Sequence, residues 1–377
     1  MQYRKFTKDN LDVSLLGFGC MRFPTLNDDS SQIDEKKATE MLHHAIDNGI
    51  NYVDTAYNYH QGNSELLVGK ALKNGYREKV YLATKLPVWL VKTYEDFEKL
   101  LDEQLEKLQT DYIDFYLLHS LHEKSWRNIE NLNVFKFLDE AKAKGKIKYA
   151  GFSFHDELPL FKEIIDSYSW DFCQIQLNYM DRHYQAGIDG LKYAAEKSIS
   201  LVIMEPIKGG KLAIAPEDVK EVWNRNNVKR TPAEWALKWV YDFEEVSVVL
   251  SGMSTLNQVK QNITLTNDSL PKSLTSEEHN LVDEVTALYN ERTKVGCTSC
   301  EYCVPCPSNV AIPNIFSLYN NYYVYGTEDQ SISTYKKYLN DGKDSTQCTE
   351  CGACEQLCPQ HLEIISHLKD ADKALSK

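Results

Sequence analysis

From residue 14 to about residue 264, short apolar runs alternate with longer segments of helical periodicity. The apolar runs are SLLGFG (14–19), INYVDTA (50–56), VYLATKL (80–86), YIDFYLLH (112–119), IKYAGFSF (147–154), FCQIQLN (172–178), SLVIMEP (200–206) and VSVVLSG (246–252). Each is of strand length and rich in β-branched or aromatic residues. Between them, KKATEMLHHAIDNG, YEDFEKLLDEQLEKLQ, VFKFLDEAKAKG and TPAEWALKWVYD repeat apolar residues at helical spacing. Gly49, Gly75 and Gly145 close several of these segments, as a helix C-terminus prefers. Eight strand–helix units in about 250 residues predict an α/β fold, the closed (β/α)8 TIM barrel. An open doubly wound sheet would need a G-x-G-x-x-G turn after its first strand. GFGCMRFP has the first two glycines, then a large Phe and a Pro, so the barrel is preferred.

Composition adds the setting. A chain of 377 residues is long for one domain and predicts a large domain with a small appendage. Hydrophobic residues at 42% and charged ones at 26% are those of a soluble globular protein. A net charge of −13 argues against nucleic acid or an anionic membrane as the main partner, since both select a basic surface. No apolar run reaches the roughly 18–20 residues that span a bilayer. The N-terminal MQYRKFTKDNLDVS lacks the apolar core of a signal peptide, and a cytoplasmic location is expected. In a reducing compartment, closely spaced cysteines hold metal or do redox chemistry more often than they form disulfides.

The cysteines are unevenly spread. Of 10, only Cys20 and Cys173 precede residue 297. This shift predicts a barrel domain over 1–290 and a small domain over 291–377. Cys173 reads as a small core hydrophobe. In the small domain, CTECGACEQLCP carries Cys348, Cys351, Cys354 and Cys358 in the C-x2-C-x2-C-x3-C-P pattern of bacterial ferredoxins. CTSCEYCVPCP carries Cys297, Cys300, Cys303 and Cys306, one residue shorter before its last cysteine. Triple C-x2-C-x2-C runs favour two [4Fe–4S] clusters; zinc, or one cluster with spare thiols, are the alternatives. In the two-cluster pattern the fourth cysteine crosses over, which assigns Cys358 to the first run's cluster and Cys306 to the second's. Helical signals in NIFSLYNNYYVYG and ISTYKKYLNDG point to an α-helical ferredoxin-like iron–sulfur domain.

Function in such a barrel sits where strands end and βα loops begin. There the sequence places Asp54 and Tyr59, Lys85, His119 and Ser153. Taken singly, each reads equally as a satisfied polar group capping the barrel. Together, an acid, a phenol, an amine and an imidazole form a device that protonates a carbonyl oxygen. The lysine ammonium stabilises the phenolate, the carboxylate holds the lysine, and a neutral histidine orients the carbonyl. Hydride must then come from a nicotinamide cofactor, because no side chain supplies it.

On these residues the chain, over roughly 1–285, resembles the aldo/keto reductase family. YRKFTKDNLDVSLLGFGCMR looks like that family's opening hairpin and first strand, and NYVDTAYNYHQGNSE like its catalytic tyrosine motif. The resemblance implies Asp54, Tyr59, Lys85 and His119 as the catalytic set, with Tyr59 as general acid. It implies Ser153 and Gln174 as holders of the nicotinamide carboxamide, with Gly19, Cys20, Met21 and Asp54 lining the same site. MEPIKGGKL and SGMSTLNQVKQN occupy the phosphate-binding places, pointing to Pro206, Gly210, Gly252, Met253, Ser254, Gln258, Gln261 and Asn262. Three positions depart from the family pattern. Phe154 replaces the Asn after the carboxamide serine, the stacking tyrosine is replaced near Met204–Glu205, and Gln258 stands where NADPH-specific members carry arginine. A neutral amide cannot pair with a phosphate dianion as a guanidinium does, so NADH and NADPH both stay open. CTSCEYCVPCPSNVAIP resembles the signature of a subgroup with a C-terminal iron–sulfur extension. The implied activity is reduction of a small-molecule aldehyde or ketone, coupled to the clusters, with room for an electron-transfer protein as partner. The alternative is a cofactor-binding redox sensor whose clusters are regulatory or structural. No flavin motif is present to link two-electron and one-electron chemistry.

Overall fold

The computed structural model describes all residues except 28, 298–301 and 359. The chain forms two compact units, one from residues 1–209 and 234–274, the other from 210–233 and 275–377.

In the first unit, strands β1 (Tyr3–Phe6) and β2 (Leu11–Ser14) form an antiparallel hairpin. Eight parallel strands then close into a barrel: β3 (Leu16–Gly19), β4 (Tyr52–Asp54), β5 (Tyr81–Leu86), β6 (Ile113–Leu121), β7 (Ile147–Phe154), β8 (Phe172–Gln176), β9 (Ser200–Met204) and β10 (Val246–Gly252). Each expected apolar run overlaps one of them, and β6 continues two residues past its run to Leu121. β10 pairs with both β9 and β3, so no sheet edge is left open. The hairpin plugs the barrel: Phe6 is fully buried, with its ring 4.8 Å from Phe115 and 5.7 Å from Phe172. Three helices bear on the site. Helix α1 (Glu35–Asp47) starts where Asp34 accepts the amide of Lys37, and the chain leaves it at Gly49 with φ +98°, a conformation that suits glycine. Helix α2 (Asn63–Ala71) follows the Tyr59 loop, and α3 (Glu95–Leu108) follows β5.

The second unit is helical, with helices at Glu217–Asn224, Ser276–Glu291, Ile312–Tyr325, Glu328–Asn340, Ala353–Leu357 and Ile364–Leu375. It takes in more chain than the segment after residue 290. Within it, ion pairs Arg225–Glu284, Arg230–Glu278 and Arg292–Asp218 link the segment of the Glu217–Asn224 helix to that of the Ser276–Glu291 helix. Its small core contains Val295, Val310, Ile312, Ile315, Phe316, Leu368 and Leu375, with five cysteines packed against it. Among the described residues, no helix is long and apolar enough to cross a membrane.

Candidate active site and cysteine-lined cavities

Register decides what meets at the C-terminal end of the barrel. Asp54 ends β4 and lies opposite Gly19 and Ala83; Lys85 on β5 lies opposite Leu117 on β6. The fully buried Lys85 ammonium donates to Asp54 Oδ1 (2.7 Å), to the Thr55 carbonyl (2.8 Å) and to Tyr59 Oη (3.3 Å). All three of its N–H groups thus have an acceptor, as a buried ammonium requires. Accepting from Lys85 leaves the Tyr59 hydroxyl proton free to be donated outward. His119 stands across the mouth, its ring centroid 6.1 Å from that of Tyr59 and nearly perpendicular, with Trp89 5.2 Å away on its other side. Tyr59 itself sits on a turn in which His60 and Gln61 adopt positive φ of 52° and 55°. Non-glycine residues hold this backbone only where surroundings enforce it. Here His60 Nδ1 meets the Ser30 carbonyl at 2.8 Å, and Asn63 donates to the Ser31 carbonyl at 2.9 Å.

Burial sets the electrostatics. It raises the Tyr59 pKa, with Lys85 pulling only partly the other way, so the phenol stays protonated at neutral pH. Burial pulls Lys85 down, but Asp54 and Tyr59 outweigh it and keep the ammonium charged. Burial raises Asp54, against the pull of Lys85. His119 is driven well below the ordinary histidine range by burial first, then by Lys85 and His155, and is a neutral imidazole. This has a stability consequence. The unfolded chain protonates His119 below about pH 6.5 while the native site resists, so stability is lost as pH falls through that window. Thermal melts of wild type and His119→Asn are expected to diverge above pH 6.5 least and at pH 5 most, the variant having the flatter profile.

The residues expected to hold the nicotinamide fit it. Ser153 Oγ accepts from the Ser120 amide (2.7 Å) and keeps its own proton to donate. Gln174 Oε1 is buried without a hydrogen-bond partner, as are Asp54 Oδ2 and His119 Nδ1. A donor hydroxyl beside an orphaned acceptor matches a primary carboxamide. Gln174 Nε2 contacts Met204 Sδ at 3.3 Å. Gly19 and Gly252 are paired across β3 and β10, and a Cβ on Gly252 would come 2.7 Å from Arg22 Cγ. Cys20, Pro206 and Met253 are buried, Met21 half-exposed, and Gly210 falls in the chain span of the second unit. Ser254 Oγ donates to the Arg22 carbonyl (2.8 Å) and Asn262 Nδ2 to Ser251 Oγ (3.1 Å), while Gln261 is exposed. Gln258 Oε1 accepts from the amides of Ser254 and Thr255, capping the helix Leu256–Asn267.

In the second unit the sulfurs gather around two cavities. One is lined by Cys297, Cys303 and Cys358, with Ile312, Phe316 and Ile364 among its walls. The other is lined by Cys306, Cys348, Cys351 and Cys354, with Val310 and Leu368. The last cysteine of each run therefore lines the other run's cavity. Cys306, Cys348, Cys351, Cys354 and Cys358 are free thiols. Cys300 lies outside the described residues. Among the described residues, no three Cys, His, Asp or Glu side chains converge on a single ion; the sulfurs are spread around cavity walls. Their apolar walls and the cysteines that line them fit iron–sulfur clusters.

Two buried polar residues escaped the reading of the sequence, Glu65 and Gln104, both fully buried. The available signal was a carboxylate and an amide on the apolar faces of α2 and α3.

Residues 15–287 match the aldo/keto reductase family and residues 296–363 match the 4Fe-4S dicluster domain. The uncharacterized oxidoreductase YqkF of Bacillus subtilis is 29% identical over 308 residues, covering 74% of this chain and 94% of its own. The holo form of the aldo-keto reductase AKR11C1 from Bacillus halodurans superposes with a TM-score of 0.63 at 29% identity, over 75% of this chain and 96% of that one. An aldo-keto reductase from Klebsiella pneumoniae, solved in complex with NADPH, shares the fold at a TM-score of 0.62 and 21% identity, over 76% and 96% of the two chains. A family match across most of the sequence, on a barrel of the same fold, makes this chain an oxidoreductase of the aldo/keto reductase family that carries a C-terminal 4Fe-4S dicluster domain.

Proposed function

We propose that the protein reduces an aldehyde or ketone with a nicotinamide cofactor, Tyr59 acting as general acid, and that its second unit holds two [4Fe–4S] clusters that carry single electrons. The observation that carries the first part is the Lys85 ammonium, held by Asp54 and Thr55 against the Tyr59 hydroxyl beside a neutral His119. When bound, the nicotinamide supplies hydride. The chain's residues do the rest. His119 orients the carbonyl oxygen by a hydrogen bond, and Tyr59 gives that oxygen its proton as negative charge develops there. Lys85 compensates the phenolate left behind, and Asp54 keeps Lys85 charged and in place. Ser153 and Gln174 hold the carboxamide and so set which face of the ring meets the substrate. Steady-state cofactor oxidation across a panel of aldehydes and ketones tests the activity; no turnover on any of them would favour the sensor reading.

For the second unit, sulfurs spread around two cavities suit cages better than a point ion, whose thiolates would all sit about 2.3 Å from one centre. Cys297, Cys300, Cys303 and Cys358 would ligate one cluster and Cys306, Cys348, Cys351 and Cys354 the other. Anaerobic purification should give about eight iron and eight sulfide per chain, as two cubanes require; zinc in their place would overturn the assignment.

Cofactor choice follows from Gln258. Its carbonyl is committed to capping, and Lys208 is already paired with Asp181. With Gln258 in place of an arginine at that position, the dissociation constants of NADPH and NADH are expected to differ by less than about a hundredfold, roughly 2.7 kcal/mol. A larger preference for NADPH would mean that another cation meets the phosphate.

A further inference from the structure

Behind β5, on its outer face, lies a buried polar network that proton transfer itself does not use. It exists because α2 and α3 approach closely: a Cβ on Gly69 would sit 2.5 Å from the Lys107 carbonyl oxygen. One turn before Gly69 on α2, Glu65 is fully buried. Its Oε1 accepts from Thr84 Oγ1 (2.7 Å) and Gln104 Nε2 (2.6 Å). Gln104 Nε2 also donates to the Lys85 backbone carbonyl (3.0 Å), and its Oε1 accepts from Tyr116 Oη (2.8 Å). On the other side, Lys107 Nζ lies 3.7 Å from Glu65 Oε2 and 3.7 Å from the ring centroid of Tyr57. Tyr57, two residues before Tyr59, donates its hydroxyl to Glu103 of α3 (3.1 Å).

Glu65 therefore reaches both supports of the reacting pair. It holds the strand of Lys85 through Thr84 and Gln104, and the loop of Tyr59 through Lys107. The period of two along a strand points Thr84 outward and Lys85 inward, so an outer group steers Lys85 only through the backbone. The bond from Gln104 to the Lys85 carbonyl is such a contact. A buried carboxyl is costly where an apolar side chain would pack freely. We propose that Glu65 is a positioning residue that fixes β5 and the Tyr59 loop so that the Lys85 ammonium stays on the Tyr59 hydroxyl.

The inference rests on Tyr59 and Lys85 being the proton-transfer pair, and its test separates the two. Full-length holoenzyme is assayed with 4-nitrobenzaldehyde for kcat, and by fluorescence titration for cofactor Kd, in wild type, Glu65→Leu, Glu65→Gln and Tyr59→Phe. Glu65→Leu should lower kcat at least about tenfold, since small misplacements of reacting groups are expensive, with cofactor Kd within about twofold of wild type. Glu65→Gln keeps an acceptor oxygen for Thr84 and Gln104 and should recover most of kcat. If Glu65→Leu does not fold, Gln104→Met removes the bond to the Lys85 carbonyl and should show the same selective loss. Unchanged kcat in these variants, or a loss that Glu65→Gln does not recover, would overturn the positioning role. Wild-type turnover in Tyr59→Phe would instead remove the reading beneath it.

Discussion

Replacing Tyr59 with phenylalanine is expected to lower turnover by about 10²–10⁴-fold, the usual effect of losing a general acid. That corresponds to about 2.7–5.5 kcal/mol of transition-state stabilisation. Cofactor affinity should hardly move, because the substitution removes one hydroxyl, which accepts from Lys85 at 3.3 Å. The ring stays, and with it the packing against His119. The pH profile gives a second check. Burial raises the Tyr59 pKa, so wild-type turnover should stay level through neutral pH. Its alkaline limb should lie no lower than the ordinary phenol range near 10. An acid limb from His119 near pH 6.5 is not expected, since the imidazole is held neutral well below that. Unaltered turnover in the variant would remove Tyr59 from the chemistry.

Cys358→Ser should abolish or alter the cluster built on the first run while the other survives. The reason is spatial: Cys358 lines the cavity of Cys297 and Cys303, although Cys348, Cys351 and Cys354 are nearer in sequence. Electron paramagnetic resonance of the reduced, full-length variant reads this directly. Loss of the second-run cluster alone would refute the crossover. Stability should change as well. The core of the second unit is small and packs against the cysteines themselves, so metal binding contributes to its folding. A thermal melt should show a lowered transition for that unit. The barrel, with a closed sheet and its own core, should keep its transition and its cofactor binding. Loss of both transitions together would mean that the two units fold as one.

The strands and the polar cluster at their ends were legible because their signals are local. A run such as IKYAGFSF coincides with β7 because fully buried strands are apolar at nearly every position. Asp54, Lys85 and His119 stand at strand ends, where polar side chains after apolar runs are conspicuous, and barrel closure brings successive strand ends together. The cysteine spacing likewise states a chemistry without any fold. What local pattern could not supply are contacts between residues far apart in the chain. No local pattern singles out Glu65; the close approach permitted by Gly69 sets it against Gln104, 39 positions away. Gln258 stands in the sequence where an arginine is expected, and the structure engages it as a helix cap. The cysteine shift puts the small domain at 291–377, and the second compact unit also takes in the helix Ser276–Glu291. Periodicity and spacing determined which elements form and which chemistry they carry; the packing of those elements decided which buried groups share a partner, because that depends on distances sequence order does not encode.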